Sequence, residues 1–184
     1  MTKSTGFLAR LRRFGRARSG LAALEFALIS PMMVFLLFGS VELIDALGAN
    51  RCAENVAASI SDVVARDNSV SNSEITGLWS AVTVLMYPND GSTTDLRVTS
   101  VMINSATDAR VVWSEVHNGF TARQANSSVT LPSAMMIPGS SLIMTESIYH
   151  YTPPLHFLFS ANVAIQHTAY RRSRLVDPIP RCNC

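Results

Sequence analysis

Between Leu21 and Val41 the chain reads LAALEFALISPMMVFLLFGSV, 21 residues with a single charge, Glu25. At about 1.5 Å per residue this run spans about 30 Å as a helix, the depth of a bilayer's hydrocarbon core. It shows no polar stripe of the kind a core helix of a soluble protein carries. After Val41 the pattern changes. Ala46, Ala49, Ala53, Val56, Ile60 and Val63 recur at spacings of three and four, while Asp45, Arg51, Glu54, Asp62 and Arg66 fall mainly elsewhere. The helix is therefore predicted to continue as an amphipathic stalk to Arg66. Asp62 and Arg66 stand four apart in the favourable order, worth a few tenths of a kcal/mol. Pro31, inside the apolar half, removes one backbone hydrogen bond and predicts a kink near Ala27.

Beyond the stalk the periodicity breaks. Asp67 to Ser73 is polar, and Ser71 followed by Glu74 forms a capping box ahead of Leu78, Val82 and Leu85. A second helix is predicted from about Asn72 to Met86, stopped by Pro88. Leu96 to Asn104 and Arg110 to His117 are rich in Val, Ile and Thr around the breaker Ala106-Thr107-Asp108, which reads as a hairpin. Asn118 to Ser140 has Gly and Pro but little period, so a long loop with one short element is expected. Ser141 to Tyr151 and Val163 to Tyr170, separated by Pro153, Pro154 and the apolar LHFLF, complete a four-stranded antiparallel sheet. The fold class is α+β, a long N-terminal helix packed on a small antiparallel sheet.

Charge decides what the apolar run does. Lys3, Arg10, Arg12, Arg13, Arg16 and Arg18 all precede Glu25, and no further basic residue occurs before Arg51. The positive-inside rule then puts the N-terminus in the cytoplasm, with a single-pass membrane helix and the C-terminal part outside the cytoplasm. Without the first 20 residues, 9 Lys and Arg remain (15 − 6) against 13 Asp and Glu, a net −4. The basic balance thus belongs to the leader and not to a folded face, which argues against a nucleic-acid partner. At 184 residues one folded body is expected. The chain divides into a basic leader (1–20), a transmembrane helix (21–41), a stalk helix (42–66) and an extracytoplasmic α+β domain (67–184).

An ordinary secretory signal has a shorter apolar region, no acid within it and a small-x-small cleavage site, so the leader fits that class poorly. A lipoprotein signal needs small residues directly before a Cys, whereas Cys52 follows Ala49, Asn50 and Arg51. What remains is a basic leader ending in Ser19 and Gly20, then Leu21, Ala22, Ala23, Leu24, Glu25 and Phe26. This arrangement resembles the type IV prepilin signal, which a membrane peptidase cuts after a Gly, leaving a Glu fifth in the mature chain. The SGLAALEFALISPMMVFLLFG pattern resembles more specifically the TadE-like pseudopilins of tight-adherence pili. Mature type IV pilins usually begin with Phe, and the departure at Leu21 points to the tight-adherence subclass.

The resemblance implies a minor pilin or pseudopilin, a structural subunit or initiation factor of such a pilus. It implies a prepilin peptidase acting at Gly20 and Leu21, other pilins and an assembly platform as partners, and inner-membrane lipid around the helix. Glu25 and Phe26 would set register during assembly. Elementary electrostatics gives Glu25 a second rationale. A carboxylate in an apolar run calls for a partner or a place at the membrane edge. Cleavage before Leu21 would create an α-amino group, of ordinary pKa near 8, four residues away, able to pair with Glu25 of a neighbouring subunit. A carboxylate simply lying at headgroup level is the plainer alternative.

The other chemistry-bearing residues form no catalytic pattern. His117, His150, His156 and His167 lack metal-ligand or HExxH spacing, and no nucleophile elbow, P-loop or dinucleotide glycine motif occurs. No enzyme activity, cofactor or metal is expected. Of the three cysteines, Cys52 on the stalk and Cys182 or Cys184 at the C-terminus form a possible disulfide that would pin the tail to the stalk. Arg171, Arg172 and Arg174 read as a solvated tail, with lipid headgroups or an acidic partner as the alternative. The competing functional reading is an uncleaved, signal-anchored periplasmic scaffold or binding protein unrelated to pili. An anchored hydrolase would need a nucleophile and base that the sequence does not offer.

Overall fold

The structure is a computed structural model and describes residues 19–182. The basic leader through Arg18 and the terminal Cys184 lie outside the described residues. One helix, Ser19–Val64 (α1), takes in both the apolar run and the stalk in 46 residues and continues through Pro31. A second helix, Asn72–Leu85 (α2), starts at the predicted capping box: Ser71 Oγ accepts from Glu74 N, and the Glu74 carboxylate accepts from Ser71 N at 2.5 Å. Each bond satisfies a donor that the first helical turn leaves without an intrahelical partner.

Four strands follow, Thr94–Ile103 (β1), Ala109–His117 (β2), Ser141–Tyr151 (β3) and Val163–Arg172 (β4). They form one antiparallel sheet in the order β2-β1-β3-β4. A register shift between Ser100 and Val101 bulges β1 against β2. A short 3-10 turn, Gly91–Thr93, feeds β1. Gly91 is buried there, and a Cβ on it would stand 2.7 Å from Thr83 Cα, so no other residue fits.

The two faces of the sheet are covered differently. On one, Leu96, Val98, Trp113, Ile143, Tyr149 and Tyr151 pack against Ala49, Ala53, Val56, Ile60 and Val64 of α1 and Val82 of α2. The predicted stripe holds up to Ile60, but Val63 is exposed and Val64 takes the buried place. An α-helix turns at 3.6 residues, so a strict alternation of three and four drifts off the face after several turns. Alanines at positions 49 and 53 let the helix backbone lie close to the strands. On the other face, Val101, Ile103, Val111, Leu142 and Met144 are capped by Val129 and Leu131. These two come from the 118–140 connection, whose backbone also bonds β2 through Val111 with Ser127 and Asn126 and through Ala109 with Val129.

Glu146 holds that connection in place. Its carboxylate accepts two bonds from Arg97, at 2.6 and 2.8 Å, and two more from Arg123, at 3.1 and 3.2 Å. The Arg97 guanidinium also stacks over Phe120, 4.6 Å from the ring centroid. Half-burial pushes the Glu146 pKa up, but the two guanidiniums outweigh it and hold the carboxyl below its ordinary range.

The C-terminal tail is not a solvated appendage. Trp113 Nε1 donates to Ile179 O at 2.8 Å, Val70 N donates to Pro180 O, and Cys182 N donates to Val70 O. Arg181 pairs with Glu115 at 2.8 Å, and Arg174 reaches Asp62 at 2.6 Å while Asp62 also pairs with Arg66. The tail thus straps the end of α1 to β2. This corrects the expected role of the cysteines. Cys52 is a free, half-buried thiol on α1, whereas Cys182 is disulfide-bonded, so no bridge ties the tail to Cys52. Backbone hydrogen bonds and ion pairs supply the pinning that the bridge was expected to supply.

Candidate assembly surface

The residues singled out for processing and assembly, Gly20, Leu21, Glu25, Phe26 and Pro31, lie on the half of α1 that the domain leaves uncovered. From Gly20 to Phe38 every residue is exposed except Ser30, which is half-buried. Leu21, Leu24, Phe26, Leu28 and Met32 each expose 60% or more of their surface. A core helix is covered by its own chain, and none of the most apolar window of α1 is. Among the described residues this is the one helix long and apolar enough to cross a membrane. Glu25 makes no ion pair or hydrogen bond with any described residue. Gly20, Leu21, Glu25, Phe26 and Pro31 share this helix without converging on a pocket. Such a surface can pack against lipid or against other apolar helices.

From Gly39 and Glu42 onward one side of the helix is covered, while Leu43, Ile44 and Leu47 stay exposed on the other. Glu42 is completely buried, and its carboxylate accepts from Phe157 N at 3.1 Å and Leu158 N at 2.5 Å. One turn later Asp45 accepts from the Tyr151 hydroxyl at 2.8 Å. Burial first, and then this bond to a carboxylate, push the Tyr151 phenol well above its ordinary pKa. Phe157 also meets Phe35 and Phe38, with ring centroids 5.3 and 6.1 Å apart. The visible signal was the apolar LHFLF after two prolines. Only its destination was hidden.

The histidines stay apart. His117 stacks on Trp79 at 5.2 Å, His150 meets Asp95 at 2.9 Å, and His167 meets Asn50 at 3.1 Å. No group of three or more His, Cys, Asp or Glu with metal-holding geometry occurs among the described residues.

No curated protein and no solved structure matches the chain. A family model does, over the helix that carries the exposed surface. The matched stretch opens at Gly20, takes in Glu25, Phe26 and Pro31, and closes at Ser61, where α1 is fully packed on the sheet. The family model that matches residues 20–61 is that of the TadE-like proteins, and the similarity is confined to that helix.

Proposed function

We infer that this protein is a minor pilin or pseudopilin of a tight-adherence pilus, acting as a structural subunit or initiating component. The observation that carries the reading is the uncovered half of α1: about 30 Å of apolar helix with one acid, in the stretch that matches the TadE-like family. Burying that surface in a bilayer satisfies the hydrophobic effect, and the helix satisfies its own backbone groups. Withdrawal into a filament would replace lipid by neighbouring helices, with no hydrophobic penalty because both are apolar.

Glu25 sets the register of that exchange. A prepilin peptidase cuts between Gly20 and Leu21, and the new α-amino group of one subunit pairs with Glu25 of the next, neutralising both charges inside an apolar bundle. The same leader holds the N-terminus in the cytoplasm and the sheet domain in the periplasm. Pro31 leaves the Ala27 carbonyl without its helical donor and gives the span a point of bending. The sheet domain supplies the specificity for partner pilins and the assembly platform.

Mass spectrometry of the membrane-extracted protein, with and without the prepilin peptidase, tests this reading. A peptidase-dependent N-terminus at Leu21 is expected. An intact leader in both samples would remove the pilin pathway and leave a signal-anchored scaffold.

A further inference from the structure

The connection between β3 and β4 does something a simple turn would not. Residues 152–162, TPPLHFLFSAN, carry no Asp, Glu, Lys or Arg. They run back along α1 toward its uncovered half instead of crossing directly between strands. Leu158 lies against Gly39, its methyl carbons 3.5 and 3.6 Å from where a Cβ on that glycine would be. The Phe157 ring reaches Phe35, six residues or about 9 Å before the end of the apolar run. Yet the tip is not used up by these contacts, since Leu155, Phe157 and Leu158 remain 46%, 43% and 41% exposed.

Glu42 makes the arrangement compatible with a medium poor in water. Backbone N–H groups at the tip of a loop are ordinarily solvated, and in an apolar medium each would be costly to leave unpaired. Here the N–H groups of Phe157 and Leu158 both donate to the buried Glu42 carboxylate. The two bonds hold the loop at a fixed height on the helix.

We propose that the β3–β4 loop is a second membrane contact, its Leu155–Leu158 tip seated in the headgroup and upper acyl region of the bilayer that α1 crosses. The proposal rests on the reading of α1 as a membrane span. Given that span, Phe35 and Phe38 lie within the last two turns of the hydrocarbon-facing helix, and whatever packs on them lies at the same depth. Interfacial apolar groups of this kind insert about 5–10 Å. The loop thereby fixes how far the sheet domain stands from the membrane, and it would have to leave the lipid when the subunit does.

The full-length protein, in a Cys52→Ser background and reconstituted into phosphatidylethanolamine–phosphatidylglycerol nanodiscs, carries a nitroxide at Leu155→Cys. Reference labels sit at Met33→Cys in the span and at Thr107→Cys in the β1–β2 turn. Power saturation with oxygen and with a water-soluble nickel chelate should show Leu155→Cys, like Met33→Cys, several-fold more accessible to oxygen, and Thr107→Cys the reverse. A water-exposed label at 155 beside a lipid-exposed one at 33 overturns the loop contact and leaves the span standing. Water exposure at both positions removes the span itself. Protection at 155 from both relaxants means that protein, such as a second copy, covers the tip, which also overturns the proposal. Adding Glu42→Ala should move the 155 label several-fold toward nickel accessibility, and an unchanged depth would overturn the holding role of Glu42.

Discussion

The two halves of α1 form one continuous helix and meet opposite surroundings. Residues 21–41 are the more apolar half, rich in Leu, Met and Phe, yet they are almost wholly exposed. Residues 42–64 carry Glu42, Asp45, Arg51, Glu54 and Asp62 and nevertheless contribute Ala49, Ala53, Val56 and Ile60 to the core at 0 to 1% exposure. The difference lies in side-chain size and pattern. Small residues on one stripe admit a sheet at close range, whereas large apolar residues on every side suit a medium that is apolar in all directions. Hydrophobicity alone therefore does not say what will be buried within the chain.

Paired truncations break the comparison most forcefully. Ile60→Ala should destabilise the sheet domain by about 2–5 kcal/mol, because the site is filled and its neighbours can only partly collapse. Leu36→Ala, equally apolar but uncovered by the domain, should change it by less than about 0.5 kcal/mol. Urea unfolding of the full chain in detergent, followed by tryptophan fluorescence, reads both. Similar losses at the two sites would mean that the uncovered half packs on the domain after all.

Acid should act on the domain and spare the uncovered helix. The folded-state pKa of Glu146 lies below its unfolded value, so the unfolded chain binds the proton more readily. Its contribution is thus present above the ordinary glutamate pKa of about 4.3 and disappears as pH falls through the depressed value. Glu146→Gln should cost about 1–3 kcal/mol at neutral pH, as bonds to charged partners do, and should flatten the loss of stability below about pH 4. Thermal unfolding between pH 3 and 7 checks this. An unflattened profile would place the acid sensitivity elsewhere.

The smallest effect on folding is expected at Glu25. Glu25→Ala should leave the unfolding free energy from urea titration within about 0.5 kcal/mol of the parent, because the carboxylate makes no hydrogen bond or ion pair with any described residue. It should nevertheless abolish incorporation into sheared pili, read by immunoblot. Normal incorporation would show that register does not depend on this charge.

Local signals carried far in this chain. The Ser71 and Glu74 capping box fixed the start of α2 to the residue, because its partners are three positions apart. The strand ranges follow Val, Ile and Thr runs bounded by breakers, and Ser141–Tyr151 is reproduced at both ends. The stalk was expected to reach Arg66 and ends at Val64, and its buried face passes to Val64 and Ala65 where a three-four alternation predicts Val63. The tail was misread for a different reason. Trp113 meets Ile179 across 66 positions and Val70 meets Cys182 across 112, and no periodicity encodes pairs so distant.

From the order of residues alone came the long helix, its change of character near Val41 and the α+β class. Each depends on neighbours within a few turns or on a simple count of charges. Only the tertiary structure decided that Glu42 is buried under the 152–162 loop, that Asp45 receives Tyr151, and that Cys52 stays free while the tail is strapped by Trp113 and Arg181. A carboxylate's partner depends on which distant backbone the sheet carries past it. That is set by strand order and loop path, which nearest-neighbour chemistry does not specify.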